Sequence, residues 1–143
     1  MFNSILVVCT GNICRSPIAA RLLHQQLPGR IVVSAGIAGL DGYPADPMAK
    51  DVAQRHGISL DGHISRKVKR SLLNQSDLIL VMELAHLNII TSITPECRGK
   101  TMLFGQWLGI KEIPDPYLKS HATFEYVFEL LDKASVEWGR RLT

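Results

Sequence analysis

The chain has 143 residues, 46% of them apolar and 20% charged, with a net charge of +3. That describes one folded domain with a single sizeable core and excludes a disordered chain. Sixteen dispersed basic residues against thirteen acidic ones do not point to nucleic acid, and no run reaches the roughly 18–20 apolar residues of a membrane span, so no direct membrane insertion is expected.

The start, MFNSILVVCTGN, has no basic n-region and no long apolar h-region, so a cleaved signal peptide is not expected. Three cysteines, Cys9, Cys14 and Cys97, without a CxxC spacing, argue against a disulfide framework or a cysteine zinc site. They fit a cytoplasmic location, where thiols stay reduced.

Ser4–Cys9 is a short apolar run rich in β-branched residues, the pattern of a strand buried on both faces. Thr10–Arg15 is a polar loop. Ser16 then predicts a helix cap, Pro17 the first helical turn, and Pro28-Gly29 the stop. Ile31–Ala35 is a second strand, and Gly36–Pro47 a long loop rich in glycine and proline. Asp46-Pro47 predicts a helix to about His56, and Ser65 a cap for a short helix over Ser65–Leu73. Asp77–Met82 is a third buried strand, followed by a helix over Glu83–Ile93 and a short strand at Thr101–Phe104. A last helix spans His121–Leu142, with Phe124, Val127, Phe128, Leu131, Ala134, Trp138 and Leu142 as its core-facing stripe. Short buried strands alternating with helices predict an α/β, doubly wound parallel sheet flanked by helices. Ligands in such sheets sit beyond the carboxyl ends of the strands, which directs attention to the loop after the first strand.

That loop reads Cys9-Thr10-Gly11-Asn12-Ile13-Cys14-Arg15-Ser16-Pro17. Five residues between Cys9 and Arg15 let successive N–H groups converge on one centre at a helix N-terminus, a cup for a tetrahedral oxyanion. Gly11 can take left-handed dihedrals, and Asn12 tolerates them. Arg15 supplies a planar fork for two phosphate oxygens. Cys9 at the strand end becomes a thiolate nucleophile facing the cup, and the Ser16 hydroxyl can donate to its sulfur. Cys-x5-Arg alone is a weak signal; the strand before it, Gly-Asn inside it and Ser-Pro after it give it weight. Without a Gly-x4-Gly-Lys-Ser/Thr loop, nucleoside triphosphate binding is not supported. Displacing an alkoxide or phenoxide from phosphorus also needs a proton donor. Asp115 in Pro114-Asp115-Pro116 is the candidate, although Asp-Pro is also a common turn; Tyr117 can wall a flat substrate ring.

Cys9-x-Gly11-Asn12-x-Cys14-Arg15-Ser16-Pro17 together with Asp115-Pro116-Tyr117 resembles the phosphate loop and general-acid loop of the low-molecular-weight protein tyrosine phosphatases. Ser34-Ala35-Gly36, His63-x-x-Arg66 and Asp77–Met82 resemble further segments of that family, so the likeness covers essentially the whole chain. Met102–Gly105 and Glu112–Tyr117 look closest to its Gram-negative branch, the Wzb-, Etp- and AmsI-like members that accompany capsule or exopolysaccharide export. The resemblance implies a flavodoxin-like, four-stranded sheet in the order 2-1-3-4. It implies Cys9, Arg15 and Asp115 as catalytic residues, and Thr10, Gly11, Asn12, Ile13, Cys14, Ser16, Leu40 and Tyr117 around the substrate. It implies no metal and no cofactor. The substrate it implies is a phosphotyrosine protein, the tail of a membrane-bound bacterial tyrosine kinase. Leu40, with Tyr43 as the alternative, stands where the eukaryotic branch has a bulky aromatic, and Leu118 where many eukaryotic members have a second one, which implies a more open pocket.

Cys14 admits two readings, a disulfide partner for Cys9 under oxidation or a small residue packed beneath the loop. A thiol-dependent arsenate reductase is a competing function, disfavoured because Cys97 has Ile90, not a cysteine, seven residues earlier. A phosphate-binding module without catalysis is another, disfavoured by the presence of both Cys9 and Asp115.

Overall fold

The computed structural model describes residues 2–39 and 41–143. In chain order it contains β1 (Ser4–Cys9), α1 (Arg15–Gln26), β2 (Ile31–Gly36), α2 (Pro47–Arg55), α3 (Arg70–Gln75), β3 (Leu78–Val81), α4 (Leu84–Ile93), a 3-10 segment (Pro95–Lys100), β4 (Thr101–Leu103) and α5 (His121–Leu142). The four strands form one parallel sheet in the order β2-β1-β3-β4. The chain steps from β1 to β2 on one side, then returns across β1 to β3 and β4 on the other. The switch point therefore lies at the carboxyl end of β1, where an open α/β sheet leaves a crevice.

Strand alternation sorts the apolar side chains into two cores. Ile5, Val7 and Cys9 with Leu78, Leu80 and Met82 face α1, α2 and α5. Leu6 and Val8 with Ile79, Val81 and Leu103 face Leu73 of α3, Ile90 of α4 and Cys97. Full burial of each such Leu, Ile or Val contributes about 1.5–3 kcal/mol, and a one-residue slip would send each side chain into the opposite core, where only packing fit opposes it. The stripe of α5 packs into the first core as its spacing predicts, and Trp138 Nε1 donates to Phe104 O at 2.8 Å. Asp46 caps α2, its carboxylate accepting from Met48 N and Ala49 N.

Two predicted helix starts are corrected. Ser16 does not cap α1: the helix begins at Arg15, its N-cap is Cys14, and no side chain caps it. The Ser16 hydroxyl is instead engaged within the loop. Ser65 does not open a helix over Ser65–Leu73 either. Its Oγ accepts from Tyr43 N, and the residues that follow are extended until α3 begins at Arg70. The reason is a competing set of partners. Gly36 N donates to Arg66 O at 2.9 Å, Val68 N to Gly36 O at 2.8 Å, and Arg66 N to the Asn12 side chain at 3.0 Å. Backbone groups satisfied by the end of β2 and by the loop have nothing to gain from helical pairing.

Candidate active site

The loop after β1 curls so that Cys9, at the strand's last position, faces its own following backbone. Asn12 N donates to Cys9 Sγ at 3.3 Å, and Ser16 Oγ lies 3.0 Å from the same sulfur. Asn12 Nδ2 donates to Ser16 Oγ at 2.8 Å, which leaves the Ser16 hydrogen to be given to Cys9. Asn12 is the residue that makes the curl. Its φ is +59°, and it is fully buried. Its Nδ2 also donates to Ser34 Oγ at 3.0 Å, its Oδ1 accepts from Arg66 N, and its carbonyl accepts from His63 Nε2 at 2.7 Å. Gly11, the other residue expected to be left-handed, does not carry a positive φ. The loop uses glycine elsewhere: a Cβ on Gly36 would stand 2.8 Å from Thr10 O and 3.0 Å from Asn12 N.

Arg15 is 1% exposed, a cation taken into the protein and matched there by acceptors. Its Nη1 donates to Glu83 Oε2 at 2.6 Å and to Ile113 O at 2.7 Å. Its Nη2 donates to Thr10 Oγ1 at 3.2 Å and lies 3.7 Å from Asp115 Oδ2. Ile113 anchors the Pro114-Asp115-Pro116 segment. It is fully buried, its N donates to Met82 O at the end of β3, and its carbonyl holds Arg15. Two residues on, Asp115 follows with prolines on both sides. One carboxylate oxygen accepts from Tyr117 N at 3.1 Å, a local turn, while the other faces Arg15. One oxygen thus makes the expected turn, and the other is turned toward the Arg15 guanidinium.

Cys9, Thr10, Gly11, Ile13, Cys14, Arg15, Asp115 and Tyr117 line one cavity of about 490 Å³. Its other wall is Ala38 and the run Tyr43–Pro47. Tyr43 and Tyr117 are both about half exposed, two aromatic faces at the mouth of a cavity floored by sulfur and guanidinium. Tyr43, the alternative wall residue, does line the cavity; Leu40 lies outside the described residues. Leu118 is 85% exposed. Asn12 and Ser16 act from behind the loop rather than from the cavity wall. Cys14 is buried, and that burial pushes its thiol well above the ordinary range; Asp46, Cys9 and Asp115 add to the effect and Arg15 opposes it.

Glu83 and His86 escaped the sequence reading as members of this constellation. Glu83 immediately follows Met82 at the carboxyl end of the strand beside β1, and the switch-point rule was the signal that could have found it. His86 is buried, and its Nε2 is 2.9 Å from Thr10 Oγ1. His63 holds the Asn12 carbonyl; burial keeps its pKa below the ordinary histidine value, the hydrogen bond to Asn12 opposes that, and Arg21 and Arg66 add to it.

Comparison with known proteins agrees with this geometry. The family "Low molecular weight phosphotyrosine protein phosphatase" matches residues 4–143. The chain is 60% identical over 142 residues to the low molecular weight protein-tyrosine-phosphatase Etp of Escherichia coli K12, covering 99% of this chain and 96% of that one. It is 48% identical to the probable low molecular weight protein-tyrosine-phosphatase AmsI of Erwinia amylovora, covering 100% and 99%. The crystal structure of the tyrosine phosphatase Wzb from Escherichia coli K30 in complex with sulphate superposes with a TM-score of 0.98 at 52% identity, over 100% of both chains. A cysteine and an arginine lining one cavity, an aspartate facing that arginine and a match running the length of the chain lead to one assignment: this protein belongs to the low molecular weight phosphotyrosine protein phosphatase family.

Proposed function

We propose that the chain is a protein-tyrosine phosphatase that works through a cysteinyl-phosphate intermediate on Cys9. One observation carries the reading. Cys9 Sγ, hydrogen-bonded by Asn12 N and Ser16 Oγ, shares a cavity with the buried Arg15 guanidinium, and Asp115 stands 3.7 Å from that guanidinium. The loop amides and Arg15 hold the phosphoryl oxygens, where preorganised donors act without reorganisation as charge develops. Cys9 sulfur forms the bond to phosphorus as the phosphorus–oxygen bond to the tyrosine ring breaks, and Asp115 gives its proton to the leaving phenolate. A water then attacks phosphorus and loses its proton to Asp115. The sulfur–phosphorus bond breaks, and the Ser16 hydroxyl steadies the departing thiolate. No metal takes part in these steps.

Tyr43 and Tyr117 line the cavity and are half exposed, which supports aromatic contacts to the ring of a phosphotyrosine. A mouth with two half-exposed aromatics and otherwise small wall residues suits a tyrosine in a flexible segment. By family resemblance, the physiological substrate in this reading is the tyrosine-rich tail of a membrane-bound bacterial tyrosine kinase, and the process it serves is capsule or exopolysaccharide production. Likeness to the tyrosine phosphatases Etp, Wzb and AmsI supports the phosphotyrosine chemistry. The location that substrate requires is cytoplasmic; no helix among the described residues is long and apolar enough to cross a membrane.

The test is p-nitrophenyl phosphate turnover with EDTA present. Cys9→Ser is expected to abolish turnover while phosphate still binds; turnover at the wild-type rate would refute the covalent route. An Asp115→Ala trap, applied to a lysate of the source cells, is expected to retain a tyrosine-phosphorylated kinase. Retention of other phosphoproteins alone would reject the kinase tail and leave the chemistry standing.

A further inference from the structure

Thr10 and His86 form a hydrogen-bonded pair at the edge of the cup that the reaction as described does not use. Thr10 Oγ1 receives the Arg15 Nη2 hydrogen at 3.2 Å and lies 2.9 Å from His86 Nε2. His86 is only 4% exposed, and its Nδ1 is buried without a partner. One ring nitrogen must carry hydrogen. If that were Nδ1, a buried N–H would be orphaned, an arrangement folded proteins rarely contain. If it is Nε2, the orphan is only a bare acceptor. The Nε2–H then points at Thr10 Oγ1, with Glu83 Oε2 3.9 Å away to favour a hydrogen on that nitrogen. A positively charged ring would also carry hydrogen on Nε2, so this orientation does not depend on the charge state of His86.

The consequence falls on Thr10. A hydroxyl has two lone-pair sites and one hydrogen. Arg15 and His86 occupy both lone pairs, and among the described residues no acceptor takes the hydrogen. Thr10 lines the cavity and is exposed to it. We propose that Thr10 donates its hydroxyl hydrogen to an oxygen of the phosphoryl group bound in the cup, and that His86 is the positioning residue that forces it to be a donor. Thr10 thus adds a side-chain donor to a cup otherwise made of amides and one guanidinium. It also ties that donor to Arg15, so that guanidinium and hydroxyl present a fixed pair of hydrogens. The proposal rests on the assignment of Cys9–Ser16 as the phosphate loop.

Competitive inhibition by inorganic phosphate, read from p-nitrophenyl phosphate turnover, tests it. Thr10→Val keeps the shape and removes the hydroxyl. The phosphate inhibition constant is expected to rise about tenfold or more, the size of a hydrogen bond to a charged acceptor. Thr10→Ser is expected to stay within about twofold, since the hydroxyl is retained. His86→Phe, which keeps a ring but no donor, is expected to weaken phosphate in the wild-type background and to add nothing on top of Thr10→Val. Thr10→Val with the wild-type inhibition constant, or full additivity of the two substitutions, would overturn the proposal. Nitrogen NMR of the imidazole in the unaltered enzyme is a check that no folding defect can spoil. Hydrogen on Nε2 is expected, and a bare Nε2 sinks the idea. A failure confined to Thr10 and His86 leaves Cys9→Ser inactive, so it is distinguishable from failure of the phosphatase reading.

Discussion

Asn12 is the residue whose removal should reveal most about how the cup is held. It is fully buried at φ +59°, a conformation that costs a side-chain-bearing residue about 1–2 kcal/mol. Asparagine is one of the few residues that tolerate it. Its side chain makes three hydrogen bonds, to Ser16 Oγ, Ser34 Oγ and Arg66 N. At about 1 kcal/mol each these contribute roughly 3 kcal/mol. Asn12→Ala loses all three and keeps a Cβ in the left-handed region, so destabilisation of about 4 kcal/mol is expected. Asn12→Gly loses the same bonds but relieves the backbone, and should recover about 1 kcal/mol. For a chain of this size 1 kcal/mol moves the midpoint by about 3–4 °C, so the alanine variant should melt roughly 12–16 °C lower and the glycine variant a few degrees above it. Urea unfolding, with phosphate inhibition measured on the same proteins, gives both readouts. Alanine and glycine variants of equal stability would remove the backbone argument. Two variants as stable as the wild type would remove the network.

Gly36→Ala sets a methyl group against Thr10 O, Asn12 N and Gly11 C, at 2.8, 3.0 and 3.0 Å. Backbone on both sides must shift, and the phosphate inhibition constant is expected to rise about tenfold, a loss of about 1.4 kcal/mol in binding; an unchanged constant would mean the end of β2 yields instead of the loop. Burial lowers the His63 pKa from its ordinary 6.5, so the folded state binds fewer protons than the unfolded chain at acid pH. Stability from this residue is complete above about pH 6.5 and declines as pH falls toward the lowered value. His63→Gln, which keeps a donor for the Asn12 carbonyl, should flatten the fall in urea midpoint between about pH 7.5 and pH 5.5; an unchanged slope refutes the linkage. Asp115→Asn should slow turnover far more for alkyl or other poor leaving groups than for p-nitrophenolate, which departs without a proton. Equal losses across a leaving-group series would take the acid role away from Asp115.

Local pattern was enough wherever one physical preference acted alone. The apolar run Ser4–Cys9, the Asp46-Pro47 cap and the stripe from Phe124 to Trp138 all became what their spacing predicts, because burial and capping act within a few residues. The grouping of the loop residues was legible for the same reason: Cys9, Asn12, Arg15 and Ser16 lie within eight consecutive positions. Prediction failed where a distant partner outbid the local one. Ser65 reads as a cap, but its neighbour Arg66 gives its amide to Asn12, 54 residues earlier. Ser16 also reads as a cap, but Cys9 and Asn12 take its hydroxyl.

The amino-acid order therefore determined the placement of Cys9, the Arg15 guanidinium and the bend between them, since five intervening residues and a left-handed asparagine curl the strand end over itself. Which acceptors would hold Arg15 was decided only by the assembled sheet. Glu83 enters from beyond β3 and Ile113 from the segment before Asp115, while His86, in the first turn of α4, reaches Thr10 beside them. Those residues meet because the strand order sets the carboxyl end of β3 beside that of β1, and a buried cation requires partners from whichever segments the fold brings within hydrogen-bond reach.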